Sequence, residues 1–99
     1  MGKRKITVQQ SVIYSIAEVS WFIESKGLVA TAEKYADAIY DFIETLADDK
    51  RVYNICREKT RANLGYKCIN FNKKYTIVFI ESSIEIIVCE FIPSKLIYW

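Results

Sequence analysis

Eight of the chain's 14 lysines and arginines fall between positions 50 and 74: Lys50, Arg51, Arg57, Lys59, Arg61, Lys67, Lys73 and Lys74. Glu58 is the only acid among them, which leaves this block with a net charge of +7. Residues 1–49 run the other way. Lys3, Arg4, Lys5, Lys26 and Lys34 stand there against Glu18, Glu24, Glu33, Asp37, Asp41, Glu44, Asp48 and Asp49, a net of −3. The overall +2 hides this asymmetry. Clustered cations can hold an acidic partner or a phosphate backbone. They can also form a solvated loop that keeps a small protein soluble, and the block alone leaves both readings open.

Other chemistries lack their residues. There is no histidine, so a His-centred triad, a His-ligated metal and a His general base are excluded. Neither GxGxxG nor GxxxxGK[ST] occurs, and nucleotide-cradling loops have no support. Cys56, Cys68 and Cys89 are odd in number, widely spaced and without a CxxC pair. The expectation is three buried thiols in a reducing cytoplasm, with no disulfide framework and no zinc site. No metal or other cofactor is implied.

The elements that must position the cations read as one domain spanning 1–99. Just over half the residues are apolar and 26% are charged, a globular composition. No apolar run approaches the ~20 residues that span a bilayer, and no long apolar run follows Lys3–Lys5, so neither a membrane span nor a secretory signal is expected. Lys5–Val8 reads as a short strand. After Gln9 or Gln10 as a cap, Val12, Ile13, Ile16, Val19, Phe22 and Ile23 recur at helical spacing, and Gly27 stops that helix. A second helix is predicted from Val29 to about Ala47, with Ala32, Tyr35, Ala36, Ile39, Phe42, Ile43 and Leu46 on its apolar stripe. The short turn between the two makes an antiparallel hairpin. A helical turn is predicted at Glu58–Asn63. Three β-type runs follow, Gly65–Phe71, Lys74–Ile80 and Ile84–Phe91, broken at Asn72-Lys73 and at Glu81-Ser82-Ser83. Pro93 should end the last strand. The apolar tail, with Leu96, Ile97, Tyr98 and Trp99, should pack on its own sheet or under another chain. The predicted fold is α+β: a two-helix hairpin on a four-stranded antiparallel sheet, in the order β-α-α-β-β-β, with Phe42 and Phe79 buried.

That order, with Leu64-Gly65-Tyr66-Lys67 entering the meander and Tyr75-Thr76-Ile77-Val78-Phe79 following it, resembles the RelE/ParE superfamily of small bacterial toxins. Val12-x-x-Ser15-Ile16 stands where that family's opening helix carries Ala-x-x-Asp-Leu. The resemblance implies the toxin of a type II toxin–antitoxin, or plasmid stabilisation, module. It implies a cognate antitoxin with an acidic amphipathic segment as partner, no membrane, and leaves a homodimer open. RelE-like members cleave mRNA on the ribosome with clustered cations and a tyrosine near the C-terminus. Lys67, Lys95 and Tyr98 are the matching candidates here. Ile69 and Thr76 stand where that branch has further cations. The expectation is therefore a ParE-like protein that binds DNA gyrase without cleaving RNA, a RelE-like endoribonuclease and a non-toxic member of the fold being the alternatives. The residues expected to face target or antitoxin are Arg57, Arg61, Lys67, Lys73, Lys74, Lys95, Tyr98 and Trp99.

Overall fold

A computed structural model describes residues 3–48 and 51–97. Its elements are strand β1 (Lys5–Val8), helices α1 (Gln10–Glu24) and α2 (Val29–Glu44), a 3-10 turn at Thr45–Ala47, the short helix α3 (Lys59–Asn63), strands β2 (Lys67–Phe71), β3 (Tyr75–Glu81) and β4 (Glu85–Pro93), and a second 3-10 turn at Ser94–Leu96.

Local chemistry accounts for most boundaries. Gly27, three residues beyond the end of α1, has φ +82°, so the turn that leaves the helix enters the left-handed region without a Cβ penalty. Asn72 and Lys73 both have positive φ, 54° and 61°, as a two-residue hairpin turn between β2 and β3 requires. Glu58 caps α3: its carboxylate accepts hydrogen bonds from the backbone N–H groups of Thr60 and Arg61, both at 3.0 Å. β4 ends at Pro93.

The sheet order is β1-β4-β3-β2. β2, β3 and β4 form an antiparallel meander. β1, however, pairs with β4 in parallel, Lys5 opposite Glu85 and Val8 opposite Val88. The expected all-antiparallel sheet is thus corrected to a mixed one, and the reason lies in the connection. α2 returns the chain to the end of the sheet where β1 began, where Arg4 N–H donates to Ala47 C=O and Lys3 bridges Asp48. The chain then crosses that same end to Ile55, which bridges Lys67 on the far edge. β2 therefore starts at the end where β1 starts. A three-strand meander from there brings β4 back in β1's direction.

The two faces of the sheet bury different sets. Val12, Ile16, Ile39, Ile43, Leu46, Ile77, Phe79, Ile86, Val88 and Phe91 close the core beneath the helix hairpin. Ala32 is fully buried on α2. Cys56, Val78 and Ile97 form a smaller cluster on the opposite face, so the tail packs back on its own sheet through Ile97, while Leu96 stays exposed. A bulge at Val78/Phe79 leaves Cys89 as an extra residue on β4, and this lets Val88 and Phe91 point to the same face. Three stripe residues depart from expectation, Ile13 being exposed on α1. Phe42 is half-buried, edge-on to Phe71. Phe22 is 64% exposed, because it reaches the C-terminal end of β4 and lines an open groove there.

The cysteines also require a correction. Cys56 and Cys68 form a disulfide, with Cα atoms 4.8 Å apart, and only Cys89 is a free thiol. Backbone pairing puts them together: Cys56 N–H donates to Tyr66 C=O and Cys68 N–H donates to Asn54 C=O, so residues 54–56 lie alongside β2. Counting and spacing of cysteines carry no information on which irregular segment meets which strand. Burial, followed by the Glu90 carboxylate, pushes the Cys89 thiol pKa up, so this thiol is a poor nucleophile.

Candidate functional site

The basic block does not fold into one cluster. Lys67 opens β2 at the end of the sheet where β3 finishes. Its Nζ donates to Tyr53 C=O at 3.1 Å and lies 3.9 Å from Glu81 Oε1. Arg61 is bound on both sides. Its Nε and Nη2 donate to Glu90 at 2.9 and 2.6 Å, and its Nη1 donates to Glu58 Oε1 at 2.9 Å. This fork–fork pairing raises the Arg61 pKa further, and fastens α3 to the face of β4 turned away from α1 and α2. Arg57 lines a depression of about 440 Å³ at the β2 edge with Asn54, Ile55, Cys68, Ile69 and Asn70. Tyr98, Trp99 and Lys50 lie outside the described residues.

Lys73, Lys74 and Lys95 do come together. They line one depression of about 420 Å³ with Tyr75, Pro93 and Ser94, at the end of the sheet opposite Lys67. At ~3.3 Å per residue, the path from Lys67 to the Asn72-Lys73 turn separates the two ends by roughly 16 Å. The backbone fixes the depression's two walls. Ser94 N–H donates to Lys74 C=O at 2.9 Å, and Tyr75 pairs with Pro93 across β3 and β4. Thr76, fully buried, ties Asn70 and Ser94 through its hydroxyl at 3.1 and 2.9 Å. Among the described residues no carboxylate makes a salt bridge with these three lysines.

A second concavity of about 370 Å³ continues from this one. Ser15, Glu18, Val19 and Phe22 of α1 form one side, and Tyr75, Phe91, Ile92 and Pro93 form the other. Tyr75 and Pro93 belong to both concavities. Tyr75 is held by stacking on Phe91, centroids 4.7 Å apart, and by an edge contact with Tyr35 at 6.5 Å. Burial, followed by Tyr35, raises the Tyr75 pKa, so the phenol stays neutral. Lys73, Lys74 and Lys95 are among the residues expected to face a partner; the apolar residues beside them are not. The signal for that apolar half was Phe22, an apolar stripe residue within one turn of the end of α1.

Among the described residues no group of three or more Cys, Asp and Glu side chains is placed to hold a metal ion, and no helix is long and apolar enough to cross a membrane. Among the described residues, those lining the depression beside the three lysines are Tyr75, Pro93 and Ser94, whose hydroxyl is bonded to Thr76. Such a surface can hold anionic groups. No protein-family model matches this chain, and neither a curated protein nor a solved structure matches it.

Proposed function

We propose that this chain is a ParE-like toxin of a type II toxin–antitoxin module, working in the cytoplasm by binding its target, DNA gyrase, rather than by cleaving RNA. The observation that carries the binding half is the separation of Lys67 from Lys95, the two cations that match the cleaving branch, at opposite ends of the sheet. Lys67 is engaged with Tyr53 and Glu81, Arg61 with Glu58 and Glu90, and Lys73, Lys74 and Lys95 lie at the opposite end of the sheet. Cleavage of a phosphodiester needs several charges positioned on one phosphate. The two positions where RelE-like chains carry further cations favour the same reading: Ile69 packs against the main core and Thr76 is sealed beneath Ser94. The toxin half is supported by the β-α-α-β-β-β order and the helix hairpin on one face of the sheet.

The test is induction of the protein in a bacterial host. Growth arrest, inhibition of gyrase supercoiling by the purified protein, and primer extension without new cuts in mRNA are the expected results. Cuts that disappear in Lys67→Ala would replace this reading with ribosome-dependent cleavage. Normal growth together with unaffected supercoiling would remove the toxin reading.

A further inference from the structure

We propose that the depression at the edge of β2 is a docking and exchange site for small carboxylate-bearing thiols, where the incoming sulfur bonds to Cys68 and the Cys56–Cys68 disulfide opens and closes by exchange. The two cysteines are unequal. Cys68 is half-buried and lines the depression of about 440 Å³. Cys56 is 2% exposed and is sealed in the cluster with Val78 and Ile97. Access decides which sulfur of a disulfide is attacked. An incoming thiolate therefore meets Cys68, and Cys56 is the leaving group. A cation stands at the same place: Arg57 lines the depression, is exposed, and makes no salt bridge among the described residues. Unused backbone is there too. The irregular segment pairs with the β2 edge through Cys56 N–H to Tyr66 C=O and Cys68 N–H to Asn54 C=O, and among the described residues its backbone pairing goes no further along β2. Peptide groups turn to alternate edges along a strand. Asn70 therefore presents its N–H and C=O on the same edge as Cys68, and it also lines the depression.

These features select the ligand. A concavity of this volume takes a small molecule. The guanidinium favours one that carries a carboxylate, and the open strand edge favours one built on a short extended peptide. The exchange balances as follows. The thiolate attacks the Cys68 sulfur, the disulfide breaks, and its electron pair passes to the Cys56 sulfur, which takes a proton from water. A mixed disulfide remains on Cys68. A second thiolate attacks the ligand's own sulfur in that mixed disulfide, and Cys68 leaves as a thiolate and is protonated. The chain has gained two electrons, and the two ligand thiols have left as their symmetrical disulfide. With that small disulfide in excess the same steps run in reverse. Cys89 does not compete, because it lies outside the depression and burial keeps its thiol protonated.

The oxidised full chain, mixed with glutathione at mildly alkaline pH, quenched in acid and mapped by mass spectrometry, tests this. The expected product is a glutathione adduct on Cys68 and none on Cys56. Initial rates per thiolate should fall from mercaptopropionate to mercaptoethanol to aminoethanethiol, an anionic, a neutral and a cationic thiol, over a span of about tenfold. The span should narrow to about twofold at high salt and in Arg57→Gln. Arg57 is exposed, so its replacement leaves the fold intact, and Lys34→Gln, an equal charge change at an exposed position on α2, should keep the full span. An adduct on Cys56, equal rates for the three thiols, or equal narrowing in both variants would overturn the proposal. So would exchange that appears only as urea unfolds the chain, reduction by a dithiol redox protein without any by glutathione, or a chain that forms no disulfide with excess glutathione disulfide. None of these readouts involves toxicity, so this site and the toxin reading fail independently.

Discussion

Arg4 Nη1 donates to Glu81 Oε2 at 2.6 Å, linking β1 to β3 across the start of β4. The Arg4 side chain is 6% exposed and also donates to the carbonyls of Leu46, Asp48 and Ser82. Its buried Nε has no acceptor among the described residues. Glu81 in turn lies 3.9 Å from Lys67. One carboxylate thus gathers a cation from each edge strand at the end of the sheet where the chain crosses over.

Removing either partner should therefore be unequal in effect. Arg4→Ala leaves Glu81 underpaired and three carbonyls without their donor, and should cost about 3 kcal/mol, as when one member of a buried pair is lost. Glu81→Gln keeps an acceptor for Arg4 and should cost about 1 kcal/mol. Urea unfolding midpoints at constant slope measure both. Equal and small losses would show that this end of the sheet is held by the backbone alone.

Phe79 is fully buried and meets Tyr53 edge-on, centroids 5.2 Å apart. Phe79→Ala should cost ~3–5 kcal/mol. Phe42→Ala should cost about half as much, since its ring is only half-buried against Phe71. The same denaturant series ranks them, and a reversed order would place the core on the wrong side of α2.

This contrast marks what the sequence made legible. The helical stripes, the turn at Asn72-Lys73, the Glu58 cap and the strand end at Pro93 follow from local chemistry and were readable. The direction of β1 was not, because it depends on where the irregular stretch after Ala47 carries the chain. The bulge at Val78/Phe79 was hidden by a β4 sequence that is apolar at nearly every position, so no alternation existed to be broken. For the site, the lysines were visible as charge, but which of them share a surface was decided by Glu58, Glu81 and Glu90, which neutralise Arg61 and Lys67 and leave Lys73, Lys74 and Lys95 unpaired among the described residues.

Glu58 gives a pH dependence of defined sign. Hydrogen bonds from the Thr60 and then the Arg61 backbone N–H lower its pKa from the usual 4.5 to about 2. The carboxylate therefore binds its proton less readily in the folded chain, and its contribution is complete above pH 4.5 and is lost as pH falls toward 2. The stability gap between wild type and Glu58→Gln should be widest near neutrality and close across that window. A gap that is constant with pH would mean that the charge of Glu58 contributes nothing and that its amide replacement caps α3 equally well.

The Cys56–Cys68 disulfide closes a loop of sequence separation 12 that contains α3. Loop-closure entropy for a ring of that size is about 3 kcal/mol. A domain of this length should then lose on the order of 10 °C in melting midpoint when the bond is reduced. It should nonetheless still melt cooperatively, because neither cysteine belongs to the main core of Val12, Ile16, Ile39, Ile43 and Phe79. This matters for the proposed cytoplasmic site of action, where thiols are kept reduced. In such a compartment the chain has to fold with Cys56 and Cys68 as thiols, packed in the cluster with Val78 and Ile97. Thiol titration of protein prepared in air and unfolded without reductant should find one reactive group, Cys89, rising to three after reduction. Calorimetry with and without reductant then reads the shift. Three thiols in the air-exposed sample would show that the pair stays reduced, and loss of the cooperative transition on reduction would show that the bond holds the fold rather than trimming one loop.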